Sequence, residues 1–364
     1  MRVALFTPEI TSSYGWARYA LEIGRALSQQ GVEIVAITQP HPTEHFSWLA
    51  DTRPVLPMLV PRLRGFLIRS LLAAPRVRRA VADCDGIHVV AEPYAPLAMW
   101  AASKQRIVVT AHGTYVPQTV RRRWVGSLYR RAYRRAHLIA VSNYTAQQVR
   151  AALPDTNLTM IHNGVHFERF QKPMPPPDKF GPTVMASGGV KYRKGTHLLV
   201  EALAQVRDQI PDVQLVVTGR QDEGAYTQQV RKQIDELGLA QQVHLVGQIP
   251  EDQLLAWYQH CDVFALPSLN VGEQFEGFGL VFLEASACGR PVIGTSGSGV
   301  EEAVLPNETG LLIPQNDGPA LANALIHLLT DAALRHSMGD AGRRYAQSQD
   351  WSVVAEQVQR LYQP

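Results

Sequence analysis

Two carboxylates stand eight residues apart in an otherwise apolar segment, Glu276 and Glu284. One unbroken helix would leave them about 80° apart around its axis, because eight residues turn by about 800°. A helix that begins near Gly279 suits them better, with Glu276 on the preceding loop and Glu284 one to two turns in. Such carboxylates can accept hydrogen bonds from the hydroxyls of a ribose and of a sugar. The alternative is a pair of solvated surface charges, although Glu284 lies between apolar Leu283 and Ala285, where an unpaired charge is costly.

A short cationic loop follows a strand-like segment upstream of these carboxylates. Gly188 and Gly189 permit a tight strand-to-helix turn, and Lys191, Arg193 and Lys194 come directly after them. Cations and backbone N–H groups at the start of a helix suit a diphosphate, most of all one that departs and gains charge. The alternative is a solvated basic loop. Because these cations would neutralise a diphosphate, we expect no metal requirement.

Near the amino terminus, a glycine and a histidine could serve a second ligand. Gly15 lies between Tyr14 and Trp16 in the first strand-to-helix loop, where a missing side chain lets the backbone approach a ligand. His112 follows an apolar strand at 107–110 and is therefore expected at the carboxyl edge of the sheet. The alternatives are a turn glycine and a structural histidine.

The segments that carry these residues repeat one pattern. Strands at 3–6 and 32–37 flank a helix in the first copy, and strands at 183–186 and 213–218 flank another in the second. Each copy is a β-α-β unit, the building block of a parallel sheet. We therefore predict an α/β protein with two Rossmann-like, doubly wound domains that face each other across a cleft.

A cluster of prolines marks the predicted domain boundary. Four prolines fall within residues 173–177 and favour an extended, stiff connector. The predicted organisation is an N-terminal domain over 1–172, a proline-rich linker over 173–181, a C-terminal domain over 182–345 and a C-terminal helix over 346–364. That helix could pack back on the N-terminal domain.

The composition excludes several classes of protein. The chain is 46% hydrophobic and 18% charged with a net charge of +3, which is ordinary for a globular protein and offers no strong overall field for nucleic acid. Cys84, Cys261 and Cys288 form no C-x-x-C pair, which argues against a disulfide framework and a zinc site and favours a reducing, cytoplasmic setting. No apolar run approaches the roughly 18 residues of a membrane span, and no signal peptide is visible.

At the two carboxylates the chain resembles the retaining glycosyltransferases of family four, which have the GT-B fold and an acidic E-x7-E signature. The likeness spans nearly the whole chain and includes shorter segments at 141–143, 161–165, 194–195, 267–268, 287–292, 297–302 and 307–312. Three positions depart from the family. His166 replaces a common aspartate, Glu301 a common proline, and Gly189 a common arginine, whose guanidinium Arg193 would supply.

The resemblance implies an enzyme that moves a hexose from a UDP- or GDP-sugar to a lipid-linked or polysaccharide acceptor, in cell-envelope glycan or glycolipid synthesis. The N-terminal domain would bind the acceptor and the C-terminal domain the nucleotide-sugar. By resemblance, Glu276 contacts the donor sugar near the reacting carbon, Glu284 holds the ribose, and His112 reaches the reacting centre. The loop 298–302 would add backbone N–H groups to the diphosphate.

These arguments assign each candidate residue a role. The predicted catalytic residues are His112, Glu276, Lys194 and Arg193; the donor-binding residues are Gly15, Gly189, Arg193, Lys194, Glu276, Gly277, Phe278, Gly279 and Glu284; and the acceptor-binding residues are Gly15, Tyr14 and His112. No metal site and no cofactor beyond the nucleotide-sugar are predicted.

Arginines cluster in two segments of the N-terminal half. Seven lie between residues 121 and 135, interleaved with Trp124, Tyr129 and Tyr133, and a second run covers 62–79. An anionic leaflet attracts such cations by about 1 kcal/mol each near its surface, and aromatic side chains suit the interface. We therefore expect peripheral attachment to the inner face of a membrane. A solvated helix face is the alternative, and no recognised nucleic-acid motif accompanies the arginines.

Two other functions share the predicted architecture. A nucleotide-sugar epimerase would turn over the donor without an acceptor, and an inactive scaffold would bind the donor without turnover. The segment Asp83-Cys84-Asp85 matches a D-x-D metal pattern of a different glycosyltransferase fold, but it is expected to close a helix before the strand at 87–90.

Overall fold

We describe a computed structural model of the chain over residues 1–11, 15–40, 46–59, 63–178, 181–221 and 223–363. The strands are β1 (Arg2–Phe6), β2 (Glu33–Ile37), β3 (Leu49–Arg53), β4 (Gly86–Val89), β5 (Arg106–Ala111), β6 (His137–Ala140), β7 (Leu158–Met160), β8 (Thr183–Ser187), β9 (Gln214–Thr218), β10 (Val243–Gly247), β11 (Val263–Ala265), β12 (Val292–Thr295) and β13 (Gly310–Ile313). The helices are α1 (Gly15–Gln29), α2 (Leu63–Ala80), α3 (Ala95–Ala101), α4 (Tyr115–Arg121), α5 (Gly126–Arg135), α6 (Asn143–Ala152), α7 (Phe167–Gln171), α8 (Thr196–Arg207), α9 (Ala225–Glu236), α10 (Glu251–His260), α11 (Leu280–Ala287), α12 (Val300–Ala303), α13 (Gly318–Thr330), α14 (Ala332–Ser348) and α15 (Trp351–Arg360).

The chain folds into two units. Unit 1 comprises Met1–Asn163 and Trp351–Pro364, and unit 2 comprises Gly164–Asp350. Each unit has one parallel sheet with helices between its strands, so the predicted pair of Rossmann-like α/β halves is confirmed.

The sheet of unit 1 has the strand order β3-β2-β1-β4-β5-β6-β7, with all pairs parallel. Phe6 at the end of β1 is in register with Ile37 of β2 and with Val89 of β4. The central strands are almost wholly buried, because helices cover both faces of such a sheet. The strand order reverses between β1 and β4, and ligands bind at this point of a doubly wound sheet, outside the carboxyl ends of the strands.

The sheet of unit 2 has the order β10-β9-β8-β11-β12-β13, again with all pairs parallel. This repeats the order of the first six strands of unit 1. Its reversal point lies between β8 and β11, in register at Met185 and Phe264. The cationic loop follows β8 and the acidic segment follows β11, so both candidate groups belong to the reversal point of this sheet.

The C-terminal segment completes unit 1. The Trp351 ring meets the Tyr19 ring edge-on with their centroids 5.3 Å apart, and the Tyr362 hydroxyl lies 2.7 Å from Nδ1 of His88. The terminal helix is predicted to begin at residue 346. In the structure α14 of unit 2 continues to Ser348, and α15 of unit 1 begins only at Trp351.

The division between the units falls after Asn163 and after Asp350, not at the predicted linker 173–181. The proline-rich segment is tied to unit 2 instead: the backbone N–H of Met174 donates to Oε1 of Gln259 (3.0 Å), and its carbonyl lies 3.0 Å from Nε2 of His260. Hydrogen bonds to α10 therefore make the proline-rich segment part of unit 2.

Candidate functional site

The loop after β8 is locked to the neighbouring loop by its glycines. Gly188 and Gly189 have positive φ angles of 127° and 81°, and both amides donate to the carbonyl of Thr218, at 3.1 and 2.9 Å. The Val190 amide donates to the Arg220 carbonyl at 3.2 Å, and a Cβ on Gly189 would lie only 2.2 Å from that carbonyl oxygen. The glycines thus permit close packing, and their amides are used inside the unit.

This packing places two cations on one carboxylate. Nζ of Lys194 lies 2.6 Å from Oε2 of Glu276, and Nη1 of Arg193 lies 2.9 Å from the same oxygen. Oγ of Ser268 is 3.5 Å away. The side chains of Lys194 and Glu276 are 13% and 15% exposed. The two loops at the reversal point of unit 2 therefore meet in one cluster, which we call the cation cluster (Arg193, Lys194 and Glu276).

The cation cluster keeps its carboxylate ionised. Burial alone would raise the pKa of Glu276, but the neighbouring Lys194 and Arg193 outweigh it and lower the pKa to about 2. Two cations against one anion leave the cluster with a net positive charge. Such a site suits a ligand with several negative charges, as a diphosphate has.

The helix that carries the second carboxylate begins where the spacing predicted. Gly279 has a φ of 89°, and α11 starts at the next residue, Leu280. Glu276 therefore lies on the preceding loop and Glu284 one turn into the helix. The Tyr258 hydroxyl donates to Oε2 of Glu284 at 2.8 Å, so this glutamate is not a solvated charge without a partner.

The other residues of the acidic segment can offer a ligand their main chain and not a side chain. The side chain of Phe278 is buried in the core, and Gly277 is buried beside it. The 297–302 loop is attached to the same segment, because the amide of Gly299 donates to the Glu276 carbonyl at 3.0 Å.

The amides of this loop are mostly used within it. The Gly297 amide donates to Oε1 of Glu301 at 2.6 Å, and the Glu301 and Glu302 amides donate to the carbonyls of Ser298 and Gly299 at 3.4 and 3.3 Å. Several of these amides already have acceptors within the unit, so their role toward a diphosphate stays a prediction. Glu301, which stands where the family often has proline, acts as a side-chain brace for Gly297.

In unit 1, His112 stands at the end of β5, as its position predicted. Its ring meets the Tyr19 ring edge-on with centroids 4.6 Å apart. The ring is hydrogen-bonded to the backbone of Val90, while Nε2 is shielded and has no hydrogen-bond partner among the described residues. The bond to Val90 therefore uses Nδ1, which donates to the carbonyl. Burial lowers the pKa of His112 to about 4, so the ring is neutral at pH 7 and Nε2 is an acceptor.

Glu92 is the residue that the sequence interpretation missed. It follows β4 at the start of a 3-10 turn (Glu92–Tyr94) and is fully buried. Its Oε1 accepts the backbone N–H of His112 (2.8 Å) and its Oε2 accepts Nε1–H of Trp16 (2.7 Å). A signal was present, because Glu92 is the one Asp, Glu, Lys or Arg between residues 86 and 103.

The electrostatics of Glu92 differ from those of the cation cluster. Within the described ranges, Glu92 has no ion pair with a cationic side chain. Burial raises its pKa to about 7, and the N–H donors from His112 and Trp16 only partly oppose this. The carboxyl group is thus held by hydrogen bonds and not by a counter-charge.

Gly15 is the first residue of α1 and has a φ of 56°, which accounts for the glycine. A Cβ there would meet nothing within 4 Å, so the position is open. The next residue, Trp16, stacks at a tilt on Tyr115 with ring centroids 4.9 Å apart. Tyr14 lies outside the described residues.

The described arginines of the two segments are exposed, but the aromatic residues among them differ in exposure. Trp124 is 69% exposed, whereas Tyr129 and Tyr133 are fully buried. The hydroxyls of these tyrosines donate to the carbonyls of Pro93 and Glu92, at 3.1 and 3.3 Å. The expectation of an interfacial role for both tyrosines is therefore wrong, because one face of α5 packs into the core of unit 1.

Helix α2 presents an apolar stripe bordered by arginines. Ile68, Leu71 and Leu72 are 63%, 55% and 77% exposed, and α2 contains no acidic residue. The guanidinium of Arg64 lies 4.5 Å from the ring centroid of Trp124, which connects the stripe to the second arginine segment. Arg62 lies outside the described residues. In the described part of the chain, no helix combines the length and the apolar character needed to cross a membrane.

The remaining motifs are structural. Asp83 forms two hydrogen bonds to the Arg53 guanidinium, at 2.6 and 2.9 Å, and an ion pair with Arg2 at 3.2 Å. These cations use the carboxylate that a D-x-D metal site would need. The three cysteines are buried and form no disulfide.

Comparison with known proteins gives the class to which this fold and site belong. The family model for glycosyltransferase family 4 matches residues 14–169, and the model for glycosyl transferases group 1 matches residues 168–345. The chain belongs to the GT-B glycosyltransferases that combine these two domains.

Two curated relatives are about one-third identical to the chain over the aligned residues. The GDP-mannose-dependent alpha-(1-6)-phosphatidylinositol monomannoside mannosyltransferase of Mycolicibacterium smegmatis is 32% identical over 297 residues, 75% of each chain. The phosphatidyl-myo-inositol mannosyltransferase of Mycobacterium leprae is 33% identical over 302 residues, 79% of this chain and 76% of that protein. Among solved structures, the sucrose-phosphate synthase of Thermosynechococcus elongatus superposes with a TM-score of 0.83 at 25% identity, over 99% of this chain and 98% of that one.

Proposed function

We propose that this protein is a retaining hexosyltransferase that moves a sugar from a GDP- or UDP-sugar to a lipid-linked or polysaccharide acceptor, in glycolipid or cell-envelope glycan synthesis. The cation cluster carries the proposal, because a net positive site at the reversal point of a Rossmann-like sheet suits a nucleoside diphosphate. GDP-mannose and an inositol lipid are the first pair to test, since both curated relatives described above are named as phosphatidylinositol mannosyltransferases and one as GDP-mannose-dependent.

In this proposal the bond from the anomeric carbon to the diphosphate breaks while a bond to the acceptor oxygen forms on the same face of the sugar, and the proton of the acceptor hydroxyl passes to the departing diphosphate. Lys194 and Arg193 stabilise the charge that develops on the departing diphosphate. Glu276 exchanges its contact with these cations for the sugar hydroxyls. Glu284, held by Tyr258, binds the ribose.

The other predicted contacts to the donor and the acceptor come mainly from the main chain and from His112. Gly15, Gly277 and Gly279 let the main chain approach the donor, and Gly189 shapes the loop that carries the cations. The Nε2 lone pair of His112 accepts a hydroxyl at the reacting centre. We expect transfer to proceed without a divalent metal, because the cation cluster neutralises the diphosphate. Full and reversible loss of activity with a chelator would contradict this.

The acceptor is proposed to be reached at an anionic membrane surface on the cytoplasmic side. The apolar stripe of α2 enters the interface, and Trp124 with the exposed arginines of 121–135 contacts the headgroups. This surface favours a lipid-linked acceptor over a soluble glycan.

The experiment has two steps. First, a panel of nucleotide-sugars is screened for an increase in Tm, because a ligand that binds the native state selectively stabilises it. Second, transfer of radiolabelled sugar from the selected donor is measured with phosphatidylinositol vesicles and without an acceptor. We expect transfer only with the acceptor. Turnover without an acceptor would favour the epimerase, and binding without any turnover would favour the scaffold.

The assay is repeated with Glu276→Gln and with a matched control at an exposed position, Glu308→Gln. The first is expected to lose transfer and the second to retain it. Equal activity of both variants would place the donor site elsewhere.

A further inference from the structure

We propose that Glu92 is a positioning residue, which holds the His112 loop and the start of α1 together at the carboxyl edge of the sheet in unit 1. The inference rests on the proposed function, because it takes His112 as a group at the reacting centre. Glu92 itself acts through its neighbours and touches neither donor nor acceptor.

The geometry divides the carboxylate between two elements. Oε1 accepts the amide of His112, which follows β5, and Oε2 accepts the indole N–H of Trp16, the second residue of α1 after Gly15. These partners lie 20 and 76 residues away in sequence. One side chain therefore connects the start of α1, where Gly15 lies, with His112 at the end of β5.

Glu92 is itself rigidly held. Its carbonyl accepts the Tyr133 hydroxyl at 3.3 Å, and Pro93 fixes the backbone immediately after it. Its side chain is fully buried. A carboxylate held in this way can transmit its position to both N–H donors.

The choice of an acid at this position is costly and so calls for a reason. A buried carboxyl group without a counter-charge is disfavoured relative to an apolar side chain of similar size. The two N–H donors that it accepts provide the reason, because a carboxylate is an acceptor at both oxygens. Glutamine has the same shape but turns an N–H group toward one of the donors.

The bond to the His112 backbone also determines which nitrogen of that ring meets a ligand. With the amide held by Glu92 and Nδ1 held by Val90, the ring has one orientation, and Nε2 is the nitrogen left for a substrate hydroxyl. Release of the amide lets the backbone of His112 shift and carries the ring out of this orientation. Turnover then falls through loss of orientation, while nucleotide binding, which is assigned to unit 2, does not change.

The test compares three variants with the full-length protein, using the donor and acceptor selected above. Glu92→Gln replaces one of the two acceptor oxygens by an N–H donor, and Trp16→Phe removes the donor to Oε2 alone. Tyr94→Phe is the matched control, because it deletes a buried hydroxyl in the same turn, one that bonds to the Pro57 carbonyl and to Gln39. The measurements are kcat, acceptor KM, the Kd of the nucleoside diphosphate and Tm.

We expect Glu92→Gln to lower kcat by about tenfold or more with the nucleotide Kd within about twofold of wild type. Trp16→Phe should lower kcat by a smaller factor, and Tyr94→Phe should lose Tm while kcat stays within about twofold. If Glu92→Gln does not fold, Trp16→Phe carries the test.

Two results would overturn the inference. One is a Glu92→Gln variant whose kcat matches wild type, and the other is a Tyr94→Phe variant that loses kcat as much as Glu92→Gln does at the same loss of Tm. Failure of the proposed function is a different result, since in that case the wild-type protein itself transfers no sugar.

Discussion

The two units place a glutamate after the equivalent strand and give it opposite surroundings. Glu92 follows β4, the fourth strand of unit 1, and Glu276 lies on the loop after β11, the fourth strand of unit 2. Two cations lower the pKa of Glu276 to about 2, whereas burial without a counter-charge raises the pKa of Glu92 to about 7. The same edge of the same fold thus surrounds its glutamate with two cations in one unit and with N–H donors alone in the other.

This difference shows how one architecture can divide a reaction. An edge with a net positive charge suits an anionic ligand, and an edge with a neutral, accepting histidine suits hydroxyl groups. The neighbours of each glutamate, and not the strand that precedes it, decide which role the edge can take.

The largest expected effect tests the charged edge. Lys194→Ala removes a cation whose contribution grows as the diphosphate departs, so kcat should fall by about 10²-fold or more. Steady-state kinetics with the identified donor measures it. Lys191→Ala, in the same loop but three residues from Lys194, is the control and should change kcat far less. Equal losses in the two variants would mean that only the general charge of the loop matters.

The second prediction separates the two carboxylates of unit 2. Glu284→Gln should weaken nucleoside diphosphate binding by about 1.5 to 3 kcal/mol, the range for a hydrogen bond to a charged group. Glu276→Gln should lower kcat with equal or tighter nucleotide binding, because it frees Lys194 and Arg193. Calorimetry beside kinetics measures both. If Glu276→Gln loses nucleotide affinity and Glu284→Gln keeps it, the two roles are reversed.

The third prediction uses pH to compare the two edges. The lowered pKa of Glu276 contributes stability that is present above its usual pKa of 4.5 and lost as the pH falls toward 2. The raised pKa of Glu92 contributes stability that is present below 4.5 and lost as the pH rises through 7. The two glutamates should therefore give opposite trends.

Urea unfolding between about pH 3.5 and pH 8 checks these trends. The difference between wild type and Glu276→Gln should shrink toward acid, and that between wild type and Glu92→Gln should shrink toward pH 8. Each change is expected to be on the order of 1 to 2 kcal/mol, after allowance for solvent screening. Two trends with the same sign would refute the contrast between the edges.

The smallest expected effect concerns the outer surface of unit 1. Replacing Leu72 and Trp124 by serine should weaken binding to anionic vesicles by about tenfold, because two apolar side chains no longer enter the interface. Wild-type binding should also weaken with salt. Val353→Ser, an exposed apolar position on α15, is the matched control. Equal recovery of wild type on neutral and anionic vesicles at low salt would remove the membrane proposal.

Much of the local structure could be predicted without coordinates. The β-α-β units, the turn at Gly188 and Gly189, and the start of α11 after Gly279 follow from apolar periodicity and from the backbone freedom of glycine. The placement of His112 at a strand end follows from the same pattern. These features depend on residues close together in the chain, so the sequence by itself determined them.

The tertiary structure alone decided which side chains became partners. Glu276 meets Arg193 and Lys194 across more than 80 residues, Glu92 meets Trp16 across 76, and the Tyr362 hydroxyl reaches His88 across 274. Packing also buried the tyrosines of the 121–135 segment and left Trp124 outside. A local pattern encodes the period and ends of an element, but the charge, pKa and exposure of a side chain depend on whichever distant residues the fold brings within a few ångströms of it.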